Sequence, residues 1–159
     1  MKDNIEAIIL HHEEMIQWVK SLNNLPAEEW FRPLDENKWS IAEIISHFGP
    51  WDDFVVNMRL PYLGNSEPLP KAPDPQNLNE QSSSRARSTE QATVIQSFID
   101  SRNRLLTGIS EIREGSWGQT FKLGEKKLTL SRYLEGLADH DLHHRTQIEQ
   151  ATNRKNAQI

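Results

Sequence analysis

The fold class this sequence predicts is all-α: a four-helix bundle running up-down-down-up. Three observations predict it. Four segments of about 20 residues repeat apolar side chains at helical spacing. A long proline-rich stretch separates the second segment from the third, and a single short hairpin pattern precedes the fourth. Helices of this length each bury one apolar stripe, and four of them close a core.

The first helix is expected over about Asn4 to Asn23, with Ile5, Ile8, Ile9, Met15, Ile16, Val19 and Leu22 on one stripe. A connection from Leu25 to Trp39 carries Pro26 and Pro33. The second helix is expected over Ser40 to Leu60. Ser40 and Glu43 read as a capping box, and Trp39 and Ile44 as a hydrophobic staple. The next connection, 61–88, holds Pro61, Pro68, Pro70, Pro73 and Pro75 and the run Ser82-Ser83-Ser84. At about 3.3 Å per residue it can travel the length of a 30 Å helix, which lets the third helix return parallel to the second. Long proline-rich loops are also where lids occur. The third helix is expected over Thr89 to Arg113, with Ile95, Phe98, Leu105, Leu106, Ile109 and Ile112 on its apolar side. Thr120 to Leu128 reads as a short β-hairpin turning at Gly124-Glu125. The fourth helix is expected over Leu130 to Ala151, capped by Thr129. No internal repeat is visible, so a single domain over 1–159 is expected.

Composition narrows the function classes. A net charge of -5 and a pI near 5.7 disfavour nucleic acid as a partner. The charges are scattered, as on solvated helix faces. No apolar run approaches a membrane span, and the six-residue apolar patch after Met1-Lys2-Asp3-Asn4 is too short for a signal-peptide core. With no cysteine there is no disulfide, thiolate ligand or protein-borne thiol nucleophile. A cytoplasmic soluble protein fits these constraints, and a small-molecule partner is expected only with metal chemistry.

The chemistry-bearing signal is His140-Asp141-Leu142-His143-His144 inside the fourth helix. His140 and His144 stand one turn apart on one face, so two neutral imidazoles can take two positions on one metal ion. At roughly 100° per residue, both border the apolar stripe of Leu130, Leu134, Leu137 and Ile148, while His143 points outward. His47 borders the apolar stripe of the second helix in the same way, which makes it the third candidate ligand. His11 is expected to face solvent. His12 falls near the centre of the first stripe, either as a core histidine or as a general base lining a pocket. Asp141 falls within an apolar stripe and therefore needs a partner. It either holds a ligand imidazole in its tautomer or pairs with Arg102, which interrupts the third stripe. Asp52 and Asp53 read as a solvated edge. Trp18, Trp30, Trp39, Trp51 and Trp117 read as packing residues, with Trp51, one turn beyond His47, also placed to wall a pocket.

Two motifs carry a family resemblance: Lys38-Trp39-Ser40-Ile41-Ala42-Glu43-Ile44-Ile45-Ser46-His47, and Tyr133 to Ile148 around His140-Asp141-Leu142-His143-His144-Arg145-Thr146-Gln147. With the four-helix layout and the long second connection, the whole chain resembles the DinB superfamily, including its YfiT-like members. The last-helix motif often reads His-Arg-Gly-Gln there, and Thr146 replaces that glycine. The resemblance implies a divalent metal on His47, His140 and His144, with zinc or nickel preferred and iron or manganese as alternatives. It further implies a homodimer and, as cosubstrate, a small thiol such as bacillithiol, used in S-transfer or isomerisation. The alternatives are a metal-dependent hydrolase and a non-catalytic stress-response module with a structural or vacant site.

Overall fold

The computed structural model describes residues 2–63 and 68–157. Residues 64–67 of the long connection, Met1 and 158–159 lie outside the described residues. Six helices and one hairpin follow in order: α1 (Lys2–Ser21), α2 (Ala27–Phe31), α3 (Ile41–Met58), α4 (Pro75–Ala86), α5 (Gln91–Ser110), β1 (Thr120–Leu123), β2 (Lys126–Thr129) and α6 (Leu130–Ala157). The four long helices α1, α3, α5 and α6 are the four expected from the periodicity.

Helix directions follow from which residues share each end of the core. One cluster joins Ile16 and Val19 late in α1, Ile44 and Ile45 early in α3, Val94 and Ile95 early in α5, and Ile148 late in α6. The other joins Ile8 early in α1, Val55 late in α3, Leu105 and Ile109 late in α5, and Leu130 and Leu134 early in α6. So α1 and α6 run one way and α3 and α5 the other, which is the up-down-down-up order. Trp30 and Trp117 are fully buried, as packing residues should be.

Local signals start and stop these elements. Ser40 accepts from the Glu43 backbone N–H while the Glu43 side chain accepts from the Ser40 N–H, completing the capping box. The Thr129 hydroxyl accepts from the Arg132 N–H at 3.1 Å and starts α6. The strands pair antiparallel with Leu123 opposite Lys126, so Gly124-Glu125 is a two-residue turn, and Gly124 supplies the positive φ of 64°.

The long connection is not wholly irregular, because it contains α4. The start signal is present: Asp74 caps the helix by accepting from the Gln76 N–H, and Pro75 opens it. The apolar period is missing, because α4 buries Ser82, Ser83 and Ala86 rather than large apolar side chains. Polar bonds hold it along α3. Ser83 donates to the Glu43 carboxylate, Ser46 donates to the Ser82 carbonyl at 3.3 Å, and Trp51 donates to Asn79 at 2.9 Å.

The centre of the bundle is ionic. Arg102 of α5, 1% exposed, donates to both carboxylate oxygens of Asp52 on α3 at 2.7 and 3.3 Å. It also donates to both oxygens of Asp141 on α6, at 2.6 and 3.1 Å. Asp141 in turn bonds His11 of α1 at 2.8 Å. Four helices therefore meet on one guanidinium. Asp52 is buried and paired, not part of a solvated edge. Its partner stands 50 positions away, beyond the reach of any local pattern. His11 is half-buried against Asp141 rather than solvent-facing. Asp53, beside it, fits the expected edge and pairs with Arg104 at the surface.

Removing the shared cation strands two buried carboxylates. Arg102→Met is expected to lose about 3–5 kcal/mol of unfolding free energy in urea titration. Adding Asp52→Asn and Asp141→Asn should recover part of that loss. An Arg102→Met protein as stable as wild type would mean the network carries no weight.

Candidate metal centre

His47 of α3 and His140 and His144 of α6 come together, their ligand nitrogens all within 4.8 Å of one another. His47 is buried, His144 half-buried and His140 exposed, so the cluster sits where the core meets the surface. Helical geometry accounts for the α6 pair, since residues four apart stack on one face. The convergence of α3 with α6 accounts for the third. His143 points outward and is exposed, as its wheel angle requires.

The outer nitrogens fix the tautomers. His47 Nδ1 donates to the Ile44 carbonyl, and His144 Nδ1 donates to the Gln147 side-chain oxygen at 3.1 Å. Both rings therefore turn an Nε2 lone pair inward. His140 Nε2 lies 3.2 Å from His144 Nε2. Two nitrogens bound at about 2.0–2.1 Å in tetrahedral geometry stand about 3.3 Å apart, so this spacing fits a shared metal ion. Trp39 and Phe48 flank the His47 ring at 5.1 and 4.6 Å between centroids, fixing its plane. Burial, the leading cause in each case, pushes His47 down to about 4 and lowers His140 and His144 as well. Neutral imidazoles are the form a metal binds.

The triad forms part of the wall of a cavity of about 700 Å³, shared with Trp51, Asp52, Arg102 and His12. Trp51 takes the wall position its spacing suggested, held there by Asn79 of α4. Asp141 takes the second of its two alternatives. It bonds Arg102 and His11, while the tautomers of His47 and His144 are set by Ile44 and Gln147. His12 is buried, with Nδ1 3.4 Å from an Arg102 nitrogen that can only donate. Nε2 therefore carries its proton, and it has no partner among the described residues. Burial, reinforced by the Arg102 charge, drives His12 down to about 3, so it is a poor base at neutral pH. Arg59, Tyr133 and Asn79 also line the cavity. Sequence periodicity gave no reason to single them out: Asn79 comes from α4, Arg59 from the end of α3 and Tyr133 from the first turn of α6.

Comparison with known proteins identifies the family and the fold. The DinB superfamily model matches residues 10–148. The chain belongs to the DinB superfamily. Its fold is similar to that of YfiT from Bacillus subtilis, described as "a probable metal-dependent hydrolase with an unusual four-helix bundle topology". That match has a TM-score of 0.83 at 14% identity and covers 98% of this chain and 90% of YfiT. The mycothiol-dependent maleylpyruvate isomerase is also similar, with a TM-score of 0.70 at 14% identity, over 91% of this chain and 60% of the isomerase. At these identities the likeness establishes the fold. No curated protein matches the sequence. No helix of the described residues is long and apolar enough to cross a membrane.

The buried histidines set a pH dependence. His12 and His47 stay neutral in the folded protein down to about 3 and about 4, but protonate near 6.5 when unfolded. As pH falls below 6.5 the unfolded chain binds protons that the folded chain refuses, so stability falls. Asp52 acts in the opposite sense. Burial raises it to about 6, so the folded state takes up its proton first and gains stability on acidification. Two histidines outweigh one carboxyl. The melting temperature of the metal-free protein should therefore fall between pH 6.5 and pH 4.5, less steeply in His12→Phe, as read by circular dichroism. A flat profile would contradict the neutral, buried state of these rings.

Proposed function

We propose that this protein is a metal-dependent enzyme of the small-thiol S-transferase type, with His47, His140 and His144 holding one divalent ion. The observation that carries the reading is the convergence of three neutral imidazoles on the wall of a cavity large enough for a small molecule. Zinc or nickel suits an all-imidazole donor set best, with iron or manganese as alternatives. Bound there, such an ion supplies Lewis acidity: it favours the thiolate form of a thiol at neutral pH and stabilises negative charge developing on the electrophile.

The chain's own residues supply the setting. Phe48, Trp51 and Leu137 give the cavity apolar walls that limit water near the triad. Asp52 and Asp141 are both engaged by Arg102, so neither offers a free carboxylate as general base. A thiol, with a pKa near 8.5, needs far less help to ionise than water does, and this favours a thiol nucleophile. The chain has no cysteine, so the thiol comes from a cosubstrate, for which bacillithiol is a candidate. The Nε2–H of His12 is an unsatisfied donor on a cavity-lining residue, suited to an oxyanion on the substrate.

Hydrolysis is the second reading, favoured by the extent of the structural likeness to YfiT, which spans nearly the whole chain. The proposal also includes a cytoplasmic setting and a homodimer. Leu10 on α1 and Leu142 on α6 are exposed apolar side chains available to such an interface, and sedimentation equilibrium measures the mass.

Metal analysis is the first test. Wild type should carry about one divalent ion per chain, and His47→Ala, His140→Ala and His144→Ala should each lose it while keeping helical circular dichroism. The Co²⁺-substituted protein should change its visible spectrum on adding a thiol, and turnover with an electrophile should vanish in His140→Ala. A thiol-insensitive Co²⁺ spectrum would favour a structural metal and a binding module. A wild type that takes up no metal even after reconstitution would overturn the enzyme reading.

A further inference from the structure

Arg59, which follows α3 as its C-cap, is buried to 5% exposure. Its NH1 donates to the carbonyls of Met58 at 3.0 Å and Pro70 at 2.6 Å. Its guanidinium carbon lies 4.5 Å from the centre of the Phe54 ring, and the Tyr133 phenol bonds the same group. All these partners are neutral. No carboxylate among the described residues pairs with Arg59, whereas Arg102 takes two. A guanidinium taken out of water without a counter-charge is costly, and an anion arriving beside it relieves that cost. Closing α3 occupies NH1 alone, so Nε and NH2 remain for Tyr133 and for a planar anion that matches the fork.

The surroundings point the same way. Arg59 lines the triad cavity and also a neighbouring cavity of about 1170 Å³, between the 68–72 segment and the hairpin. Lys71 and Lys122, both exposed, line that outer cavity, and no acidic side chain lines it among the described residues. In a chain of net charge -5 this local excess of cations stands out as an electrostatic funnel for anions.

We propose that Arg59, with Lys71 and Lys122, forms an anion subsite that binds a carboxylate of the small molecule reacting at the triad. The inference rests on the proposed function for the word "reacting", and on Arg59 and the outer cavity for the subsite itself. Arg59 stands twelve positions after His47, about 18 Å along the helix axis from backbone to backbone. The ligand is therefore extended, with its reactive group at the triad end and its carboxylate at the other. Either the thiol or the electrophile can supply that carboxylate.

The test is isothermal titration at low, fixed ionic strength with two probes. S-methylglutathione is an extended dicarboxylate with its sulfur blocked, and succinate is a compact one. Either probe binding wild type supports the subsite. S-methylglutathione should bind more tightly than succinate, because only the extended probe reaches from Arg59 toward the triad. Affinity should fall about tenfold in Arg59→Met, the loss of one charge-assisted contact. It should fall less in Arg59→Lys and in the surface variant Lys71→Gln/Lys122→Gln, which leaves the core untouched. Metal-free wild-type protein should still bind the probes through Arg59, and the three cation variants should lower that binding too, which keeps failure of the metal reading separate from failure of the subsite. The proposal is overturned if neither probe binds wild type. It is also overturned if affinity is the same in all three cation variants, or if the dimethyl ester of S-methylglutathione binds as tightly as the free acid.

Discussion

Arg102 is the constraint around which this bundle is arranged. One guanidinium, almost wholly out of water, meets Asp52 and Asp141 with two hydrogen bonds to each, and through Asp141 and His12 it touches α1 as well. Such a group tolerates little rearrangement, because any shift that frees a carboxylate leaves a charge buried without a partner. The apolar clusters above and below would accept several neighbouring packings. The ionic centre accepts few, since it specifies which face of each of four helices points inward.

The candidate centre inherits its geometry from that constraint. Asp141 is adjacent to His140, so the bond that turns Asp141 toward Arg102 also sets the rotation of α6 that brings His140 and His144 to His47. Phe48 lies between the two features. Its ring stands 5.6 Å from the Arg102 guanidinium carbon and 5.6 Å from the His144 ring. The cation on one side and the triad on the other are thus separated by an aromatic wall. The carboxylates nearest the triad are already neutralised, which leaves imidazole nitrogens as the accessible ligands and an apolar cavity beside them.

Polar bonding governs the periphery. Helix α4 reaches α3 through serine hydroxyls, a buried glutamate and an asparagine, and its first turn walls the triad cavity. The hairpin closes the opposite side through Leu123. Both elements come from stretches of weak apolar character: of the two cavities, α4 lines only the inner one, and the hairpin lines both. The connections therefore shape the cavity mouths, while the long helices carry the three candidate imidazoles.

The sequence by itself determined the four long helices, their direction, the capping box at Ser40, the turn at Gly124 and the three candidate imidazoles. These are written in local pattern: periods of 3.6 residues, a serine three positions before a glutamate, histidines four apart, and a connection long enough to return the third helix parallel to the second. Only the tertiary structure decided the pairing of Arg102 with Asp52 and Asp141, the half-buried place of His11, the helix that follows the prolines and the burial of Arg59 without a carboxylate partner among the described residues. Those depend on which side chain lies across a gap from which, over separations of tens of residues, and local periodicity holds no record of that distance. Asp52 and Asp53 make the point within a single dipeptide. Adjacent and chemically identical, they sit about 100° apart on α3, and that rotation sends one to the buried arginine and the other to the surface.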